Sequence, residues 1–183
     1  MQRPNRVLIV GGGPAGLALA AELGWRDVST ILIEQGDGVI ATPKMNEVNA
    51  RSMEHCRRWG IADQVLNCPF PADHPMDAAF VTSLFGYELG RVPRPPRNAQ
   101  APPSTSPYNL QACSQHWFDP MLQKLARSFP CVELRYFTRL DSFEQCPDRV
   151  SARITDVKTG QAGVIEADYM VGCDGVNSTV RRG

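Results

Sequence analysis

Apolar residues near the start of the chain fall into short runs that end at glycine or at a charged residue. The β-branched run Arg6 to Val10 stops at a glycine, which predicts a buried strand. Pro14 to Leu23 is rich in alanine and leucine and lies between a proline and Gly24, the usual start and stop signals of a helix. The run Thr30 to Glu34 predicts a second buried strand. This βαβ order predicts two adjacent parallel strands.

Further helix and strand patterns follow along the chain. The predicted elements are a helix over 47–59, strands over 78–84 and 87–92, a helix over 115–128, a strand over 132–136, an antiparallel meander over 139–144, 149–157 and 163–167, a strand over 169–173, and a helix that begins at Asn177 or Ser178. Residues 93–107 hold six of the 15 prolines and predict an extended loop. The fold class is therefore α/β, with a parallel sheet and an antiparallel meander between two of its strands.

Composition and charge exclude several classes of protein. Of the 183 residues, 43% are hydrophobic and 21% are charged, which is typical of a chain with a packed core. The formal net charge is zero, so no basic face indicates nucleic acid. The N-terminal run Val7 to Val10 is too short for a membrane span or a signal peptide. Because the last predicted helix has only about six residues before Gly183, we expect the chain to be part of a longer protein.

Cysteine and histidine residues are scattered rather than paired. None of the six cysteines forms a Cys-x-x-Cys pair, and the three histidines His55, His74 and His116 lie far apart in the sequence. The pattern predicts no metal site and no dense disulfide framework, and it favours a reducing cytoplasm.

A glycine-rich turn carries the strongest functional signal. Gly11, Gly13 and Gly16 fit the pattern G-x-G-x-x-G, which follows a predicted strand and opens a predicted helix. Gly11 permits a tight turn, Gly13 lets the backbone approach a diphosphate closely, and Gly16 lets the helix pack closely on the strand. Glu34 follows Gly16 by 18 residues, close to the spacing of about 20 expected for an acid that binds a ribose. These features predict a dinucleotide site rather than a purely structural turn.

The residues after the second strand narrow the choice of dinucleotide. The carboxylate of Glu34 suits a ribose with a free 2′-hydroxyl and would repel a 2′-phosphate. The next residue is Gln35 rather than a basic residue, which disfavours NADP in this site. NAD and FAD remain as alternatives, because both carry a free 2′-hydroxyl on the adenosine ribose.

Four segments together resemble one enzyme family. They are Val10 to Leu17 with Glu34, the loop and helix start Pro43 to Glu54, the segment Cys113 to Leu122, and Gly172 to Arg181 with its Asp174-Gly175 pair. In order and spacing they resemble the N-terminal part of the single-component FAD-dependent aromatic hydroxylases. This group includes para-hydroxybenzoate hydroxylase and the phenol monooxygenases. The resemblance covers nearly the whole chain and implies a Rossmann-like FAD-binding domain with part of a β-rich substrate layer.

The resemblance implies roles for individual residues. Glu34 would bind the adenosine ribose, and Lys44 would lie near the flavin and the diphosphate. Gln115 would bond the ribityl chain or the flavin side of the cofactor. Asp174 would support the diphosphate region, and the backbone of Leu140 would touch adenine, where Phe137 replaces a more usual glycine. The implied cofactor-binding set is Gly11, Gly13, Pro14, Ala15, Gly16, Glu34, Gln35, Lys44, Gln115, Leu140 and Asp174.

Simpler interpretations of three of these residues stay open at this stage. Lys44 could be an ordinary solvated loop lysine, since most lysines are exposed. Gln115 could cap its own helix as a polar first-turn residue. Asp174 could belong only to a turn, because Asp-Gly is a favoured turn pair.

The implied activity is hydroxylation of a phenolic substrate by FAD, with NAD(P)H as a transient reductant and O2 as the oxygen source. The alternative is an NAD or FAD oxidoreductase module that does not hydroxylate, or a non-catalytic cofactor-binding fragment. We expect residues 1–75 and 108–183 to form the FAD-binding domain and 76–107 to belong to the substrate layer. No catalytic residue is nominated, and we expect the chain to be inactive by itself. We also expect a cytoplasmic protein without membrane or nucleic-acid partners, and a homodimer is left open.

Overall fold

The computed structural model describes residues 6–183. The strands are β1 (Arg6–Val10), β2 (Ser29–Ile33), β3 (Glu47–Val48), β4 (Ala78–Val81), β5 (Glu88–Val92), β6 (Gln111–Ala112), β7 (Val132–Arg135), β8 (Thr138–Cys146), β9 (Arg149–Asp156), β10 (Ala162–Ala167) and β11 (Tyr169–Gly172). The α-helices are α1 (Pro14–Trp25), α2 (Ala50–Arg58), α3 (Ala62–Leu66), α4 (Gln115–Arg127) and α5 (Thr179–Arg182), and Arg97–Ala99 forms a 3₁₀ turn.

The chain divides into two compact units. The sheet unit combines the described residues up to Lys44 with Gln115–Gly183, and the hairpin unit is Met45–Ser114. The sheet unit therefore contains every residue of the predicted cofactor-binding set.

A four-stranded parallel sheet forms the centre of the sheet unit. Its strand order is β11-β1-β2-β7, and all three neighbouring pairs are parallel. Four of the five residues in both β1 and β2 are buried, as expected for central strands covered on both faces. The chain moves from β1 to β2 on one side and returns as β11 on the other side. The carboxyl end of β1 therefore lies at the point where the strand order reverses, the usual ligand crevice of open α/β sheets.

Helix α1 and the antiparallel strands β8 to β10 both pack against this sheet. Helix α1 buries Leu17, Ala20 and Ala21 completely and packs against α4 and β2. The antiparallel strands β8, β9 and β10 connect β7 to β11 and join alternate residues of β1 and β2 in one apolar cluster. The buried members of that cluster are Leu8, Val10, Ile31, Ile33, Leu140, Ala152, Ile165 and Ala167. The predicted order of parallel sheet and meander is confirmed.

The hairpin unit has a small core of its own. The buried side chains come from α2, α3 and the short β3–β6 ladder and include Val48, Met53, Val65 and Ala112. Strands β4 and β5 form a two-stranded antiparallel hairpin with an irregularity after Phe80. Nearly all residues of this hairpin are exposed.

The first helix ends later than its sequence predicts. Gly24 lies inside α1 rather than beyond its end. A Cβ atom there would come within 2.6 Å of the Phe129 ring. Close packing therefore requires this glycine. The helix instead ends at Trp25, and Asp27 takes the left-handed conformation (φ 57°) that follows many helices.

The predicted helix over 47–59 is divided in two by tertiary pairing. Residues Glu47–Val48 form β3 and pair with β6, so they are extended rather than helical. Asn49 then caps α2, since its side-chain oxygen accepts a hydrogen bond of 2.8 Å from the Ser52 N–H. Helix α3 and strand β6 have no counterpart among the predicted elements.

Candidate functional site: the turn between the first strand and the first helix

The glycine-rich turn is closely packed at Gly11 and Gly16 and open at Gly13. The N–H of Gly11 donates to the Ile33 carbonyl at 2.9 Å, and Gly11 has φ 109°, which favours glycine. A Cβ atom on Gly16 would collide with the Gly11 carbonyl. By contrast, no heavy atom lies within 4 Å of a Cβ atom built on Gly13. The space that a ligand needs is therefore found beside Gly13.

The amino end of α1 offers donors that no side chain uses. Gly13 is the N-cap residue and provides no side-chain hydrogen bond, Pro14 occupies the first helical position, and the first turn has no acidic residue. The free N–H groups and the positive end of the helix dipole favour an anion at this end. The open space beside Gly13, the free amides of the helix and the lack of an acidic residue in its first turn together fit a diphosphate.

Glu34 lies at the end of β2 with both carboxylate oxygens engaged by the backbone. Oε2 accepts from the Gly12 N–H and Oε1 accepts from the Gly36 N–H, each at 2.7 Å. The carboxylate is half-buried, and the neighbouring Gln35 is exposed. Each carboxylate oxygen can accept a second hydrogen bond, so the group retains capacity for two ribose hydroxyls.

A polar chain of three residues joins the loop after β2 to the start of α4. The N–H of Lys44 donates to Oε1 of Gln115 at 2.9 Å, and Nε2 of Gln115 donates to Oδ2 of Asp119 at 3.1 Å. Gln115 and Asp119 are both buried, whereas the Lys44 side chain is exposed. The Gln115 side chain thus bonds Lys44 and Asp119 rather than the first-turn amides of its own helix.

Asp119 is the residue in this region that the sequence interpretation missed. Burial raises its pKa to about 6, against which the hydrogen bond from Gln115 acts only partly. Its position one helical turn after Gln115, on the face that also buries Phe118 and Leu122, is the signal that would have found it.

Asp174 follows β11 and caps the last helix. Its Oδ1 accepts from the Ser178 hydroxyl and its Oδ2 accepts from the Thr179 N–H, both at 2.6 Å. Burial by itself raises the pKa of this carboxyl, but the hydrogen bonds from Ser178 and from backbone N–H groups outweigh burial and lower the pKa. The charge of Asp174 is therefore kept near the carboxyl ends of β1 and β11, where the Cys173 N–H bonds the Val10 carbonyl at 2.7 Å.

The proposed adenine side depends on backbone rather than side chains. The side chain of Leu140 belongs to the apolar cluster, so only its backbone in the edge strand β8 remains for a ligand. Phe137 has φ 53°, a conformation that is uncommon for a bulky residue and natural for glycine. The Lys158 ammonium lies 3.5 Å from the centre of the Phe137 ring and stabilises that side chain.

Other kinds of site are not found among residues 6–183. In that part of the chain no cluster of three or more histidine, cysteine or acidic residues is arranged to hold a metal ion. No helix between Arg6 and Gly183 has the length and apolar character needed to cross a membrane. The six cysteines are free, and burial raises the pKa of Cys56 to about 11, so this thiol is a poor nucleophile.

Comparison with known proteins agrees with this geometry. Residues 5–183 match the family model described as FAD binding domain. The chain is 34% identical to phenol 2-monooxygenase of a Pseudomonas species, with 96% of this chain and 29% of the relative covered. It is 30% identical to an FAD-dependent monooxygenase of Emericella nidulans, with 98% of this chain and 30% of the relative covered. The chain therefore spans about a third of the length of these relatives.

Solved structures show the same similarity. The rebeccamycin biosynthetic enzyme RebC with reduced flavin is 43% identical and superposes with a TM-score of 0.87 over 97% of this chain and 34% of that one. The flavin-dependent monooxygenase PieE in complex with FAD and substrate is 32% identical, with a TM-score of 0.83 over 99% of this chain and 32% of that one. FAD rather than NAD is thereby confirmed as the cofactor, and the predicted resemblance is confirmed. The chain belongs to the family described as FAD binding domain.

Proposed function

We propose that this chain is the FAD-binding part of a monooxygenase that hydroxylates an aromatic, phenol-like substrate with NAD(P)H and O2. The observation that carries the proposal is the open space beside Gly13, in front of helix amides that no side chain caps. Phenol 2-monooxygenase and 2,4-dichlorophenol 6-monooxygenase among the relatives support the aromatic substrate class. No observation favours a second function.

The chain's own residues would bind and orient the cofactor. The turn Gly11 to Gly16, with Pro14 and Ala15 in the first helical turn, would hold the diphosphate against free N–H groups. The Glu34 carboxylate would accept hydrogen bonds from the adenosine ribose, and the exposed Gln35 would flank it. When bound, FAD supplies the redox chemistry that links a nicotinamide to the transfer of oxygen.

The remaining members of the set would act at the diphosphate and on the flavin and adenine sides of the cofactor. Lys44 would place a positive charge near the diphosphate without the two-pronged geometry of arginine. The free Nε2 hydrogen of Gln115 would bond the ribityl chain, and the backbone of Leu140 would contact adenine. Asp174 would hold the start of α5 and support the diphosphate region through the β11 end.

Location and assembly are also part of the proposal. Six free cysteines support a cytoplasmic protein, because thiols persist in a reducing compartment. A net charge of zero supports small-molecule partners rather than nucleic acid. Analytical ultracentrifugation distinguishes a monomer from the homodimer that the sequence leaves open.

The ribose assignment is tested by reversing the charge of Glu34. We expect the purified chain to bind FAD and quench its fluorescence, and we expect Glu34→Lys to abolish retention of FAD. Glu133→Lys is the matched control, because Glu133 is an exposed glutamate in the same unit, outside the proposed site. Equal FAD affinity in Glu34→Lys and the wild-type chain would contradict the assignment, and preferential binding of NAD would contradict the choice of cofactor.

The hydroxylation proposal is tested in a longer protein that carries this chain. NAD(P)H oxidation should be coupled to the appearance of a new ring hydroxyl on a phenol. Oxidation that yields only hydrogen peroxide across a panel of phenols would contradict the proposed activity.

A further inference from the structure

The buried carboxylate of Asp119 accepts a hydrogen bond from the Gln115 amide, which the proposed function assigns to FAD. Asp119 lies four residues after Gln115, so the two side chains share one face of α4. Gln115 is 4% exposed and Asp119 is 1% exposed. The hydrogen bond between them is therefore shielded from solvent, where the orientation of donors and acceptors has its largest effect on energy.

Two neighbours fix the orientation of the Gln115 amide. The Lys44 N–H is a donor and takes the Oε1 end, while the Asp119 carboxylate is an acceptor and takes the Nε2 end. A flipped amide would face donor to donor at Lys44 and acceptor to acceptor at Asp119. Only the observed orientation satisfies both, and it leaves one Nε2 hydrogen for a ligand.

The burial of the Asp119 carboxylate lowers the stability of the folded chain. Oδ1 of Asp119 has no hydrogen-bond partner among the described residues, so a buried carboxylate is balanced by a single bond from a neutral amide. An apolar residue at this position would pack with lower cost. A costly group held next to the amide that the proposed function assigns to FAD indicates a role in function.

We propose that Asp119 is a positioning residue that holds the Gln115 amide, and through it the Lys44 loop, in the orientation that receives FAD. The inference rests on the proposed assignment of Gln115 to the cofactor. It adds a residue that does not itself touch FAD, and it predicts how the affinity for FAD responds to protonation of Asp119.

Burial and the Gln115 hydrogen bond are the causes of the shift in the pKa of Asp119. Helix α1 and strand β7, which pack against α4, carry the charged side chains Glu22, Glu133 and Arg135. The titratable neighbour that responds to Asp119 is Tyr136, directly after β7. Burial raises the pKa of Tyr136, Arg127 opposes this, and the charges of Glu34 and Asp119 add to the increase.

Protonation should have opposite effects on the folded chain and on the cofactor. Because burial raises the pKa of Asp119 to about 6, the folded chain binds this proton more tightly than the unfolded chain does, and stability rises as the pH falls through 6. The neutral acid is a weaker acceptor for Nε2, so it holds the Gln115 amide less firmly. The affinity for FAD should therefore fall over the same pH range.

The experiment measures the dissociation constant of FAD by fluorescence quenching between pH 8 and pH 5. We expect the wild-type chain to bind about tenfold more weakly at pH 5 than at pH 7.5, since protonation one pH unit below the pKa leaves about a tenth of the carboxylate ionised. Asp119→Asn keeps an acceptor for Nε2 without a titrating charge, so its dissociation constant should change less than twofold. Asp119→Leu removes the acceptor and should bind weakly at every pH.

The controls separate this inference from the proposed function. Glu133→Gln removes an exposed carboxylate from the same unit, whose pKa is lowered by Arg135, and should follow the wild-type profile. Parallel pH profiles for wild type and Asp119→Asn, or wild-type affinity in Asp119→Leu at pH 7.5, would overturn the positioning role and leave the FAD site intact. A wild-type chain that binds no FAD at any pH would overturn both.

Discussion

The parallel sheet with its first helix and the β4–β5 hairpin differ in where they place large apolar side chains. In the sheet unit, Leu8 and Leu17 are completely buried between layers. In the hairpin β4–β5 and its turn, Leu84 is 94% exposed and Phe85 is 100% exposed. The core of the sheet unit stabilises its own fold, whereas the hairpin side chains contribute little to the stability of this chain. Exposed apolar surface of this kind is typical of interfaces.

The largest contrast between the units concerns two glycines. Gly16→Val would force a side chain into the Gly11 carbonyl, so the free energy of unfolding should drop by at least about 4 kcal/mol or the chain should not fold. Gly90→Val in the hairpin meets no atom within 4 Å and should change the free energy of unfolding by about 0.5 kcal/mol or less. Urea denaturation of both variants tests this; equal losses would contradict the contrast.

A second pair of substitutions removes apolar side chains. Leu8→Ala leaves a cavity between the parallel sheet and the meander and should cost about 2–5 kcal/mol in the free energy of unfolding. Phe85→Ala removes a fully exposed ring and should cost about 0.5 kcal/mol or less. Thermal unfolding of the two variants at equal concentration gives the comparison. A larger loss for Phe85→Ala than for Leu8→Ala would show that the hairpin ring is buried in solution.

The two units should also differ in the pH dependence of stability. In the sheet unit, the raised pKa of Asp119 penalises folding above pH 6, so the free energy of unfolding should rise by about 1 kcal/mol between pH 7.5 and 5. In the hairpin unit, the pKa of Asp77 is lowered by the Arg94 N–H and by Arg91, and the pKa of Glu88 is lowered by Arg91. Their contribution is present above the unfolded pKa values near 4 and is lost only at more acidic pH.

Asp119→Asn isolates the effect in the sheet unit. The variant should lose the rise in stability between pH 7.5 and 5 and retain the loss at lower pH. Denaturant unfolding across this range checks both parts. A rise of the same size in the variant would assign the effect to another group.

The local features of the sheet unit could be predicted because neighbours in sequence determine them. The turn from Gly11 to Gly16 and the two strands beside it depend on backbone geometry that glycine and β-branched residues encode directly. Glu34 could be located because the spacing from the turn is set by one helix and one strand.

Features that depend on tertiary packing could not be predicted in the same way. Gly24 resembles a helix stop, and only its close approach to the Phe129 ring shows that packing is the reason for glycine there. Residues Glu47–Val48 have a helical pattern, and only their pairing with β6 makes them extended. The position of Asp119 on the apolar face of α4 could have been found from the sequence, but its complete burial and its hydrogen bond with Gln115 are visible only in the folded chain.

The most direct test of the account is FAD binding by Gly13→Val. Gly13 has φ −77° and ψ −177°, which valine adopts without strain, and no atom lies within 4 Å of the new Cβ. We predict a free energy of unfolding within about 1 kcal/mol of wild type and an affinity for FAD at least about 100-fold weaker, because the valine side chain fills the space assigned to the diphosphate. Wild-type affinity in a folded Gly13→Val chain would contradict it.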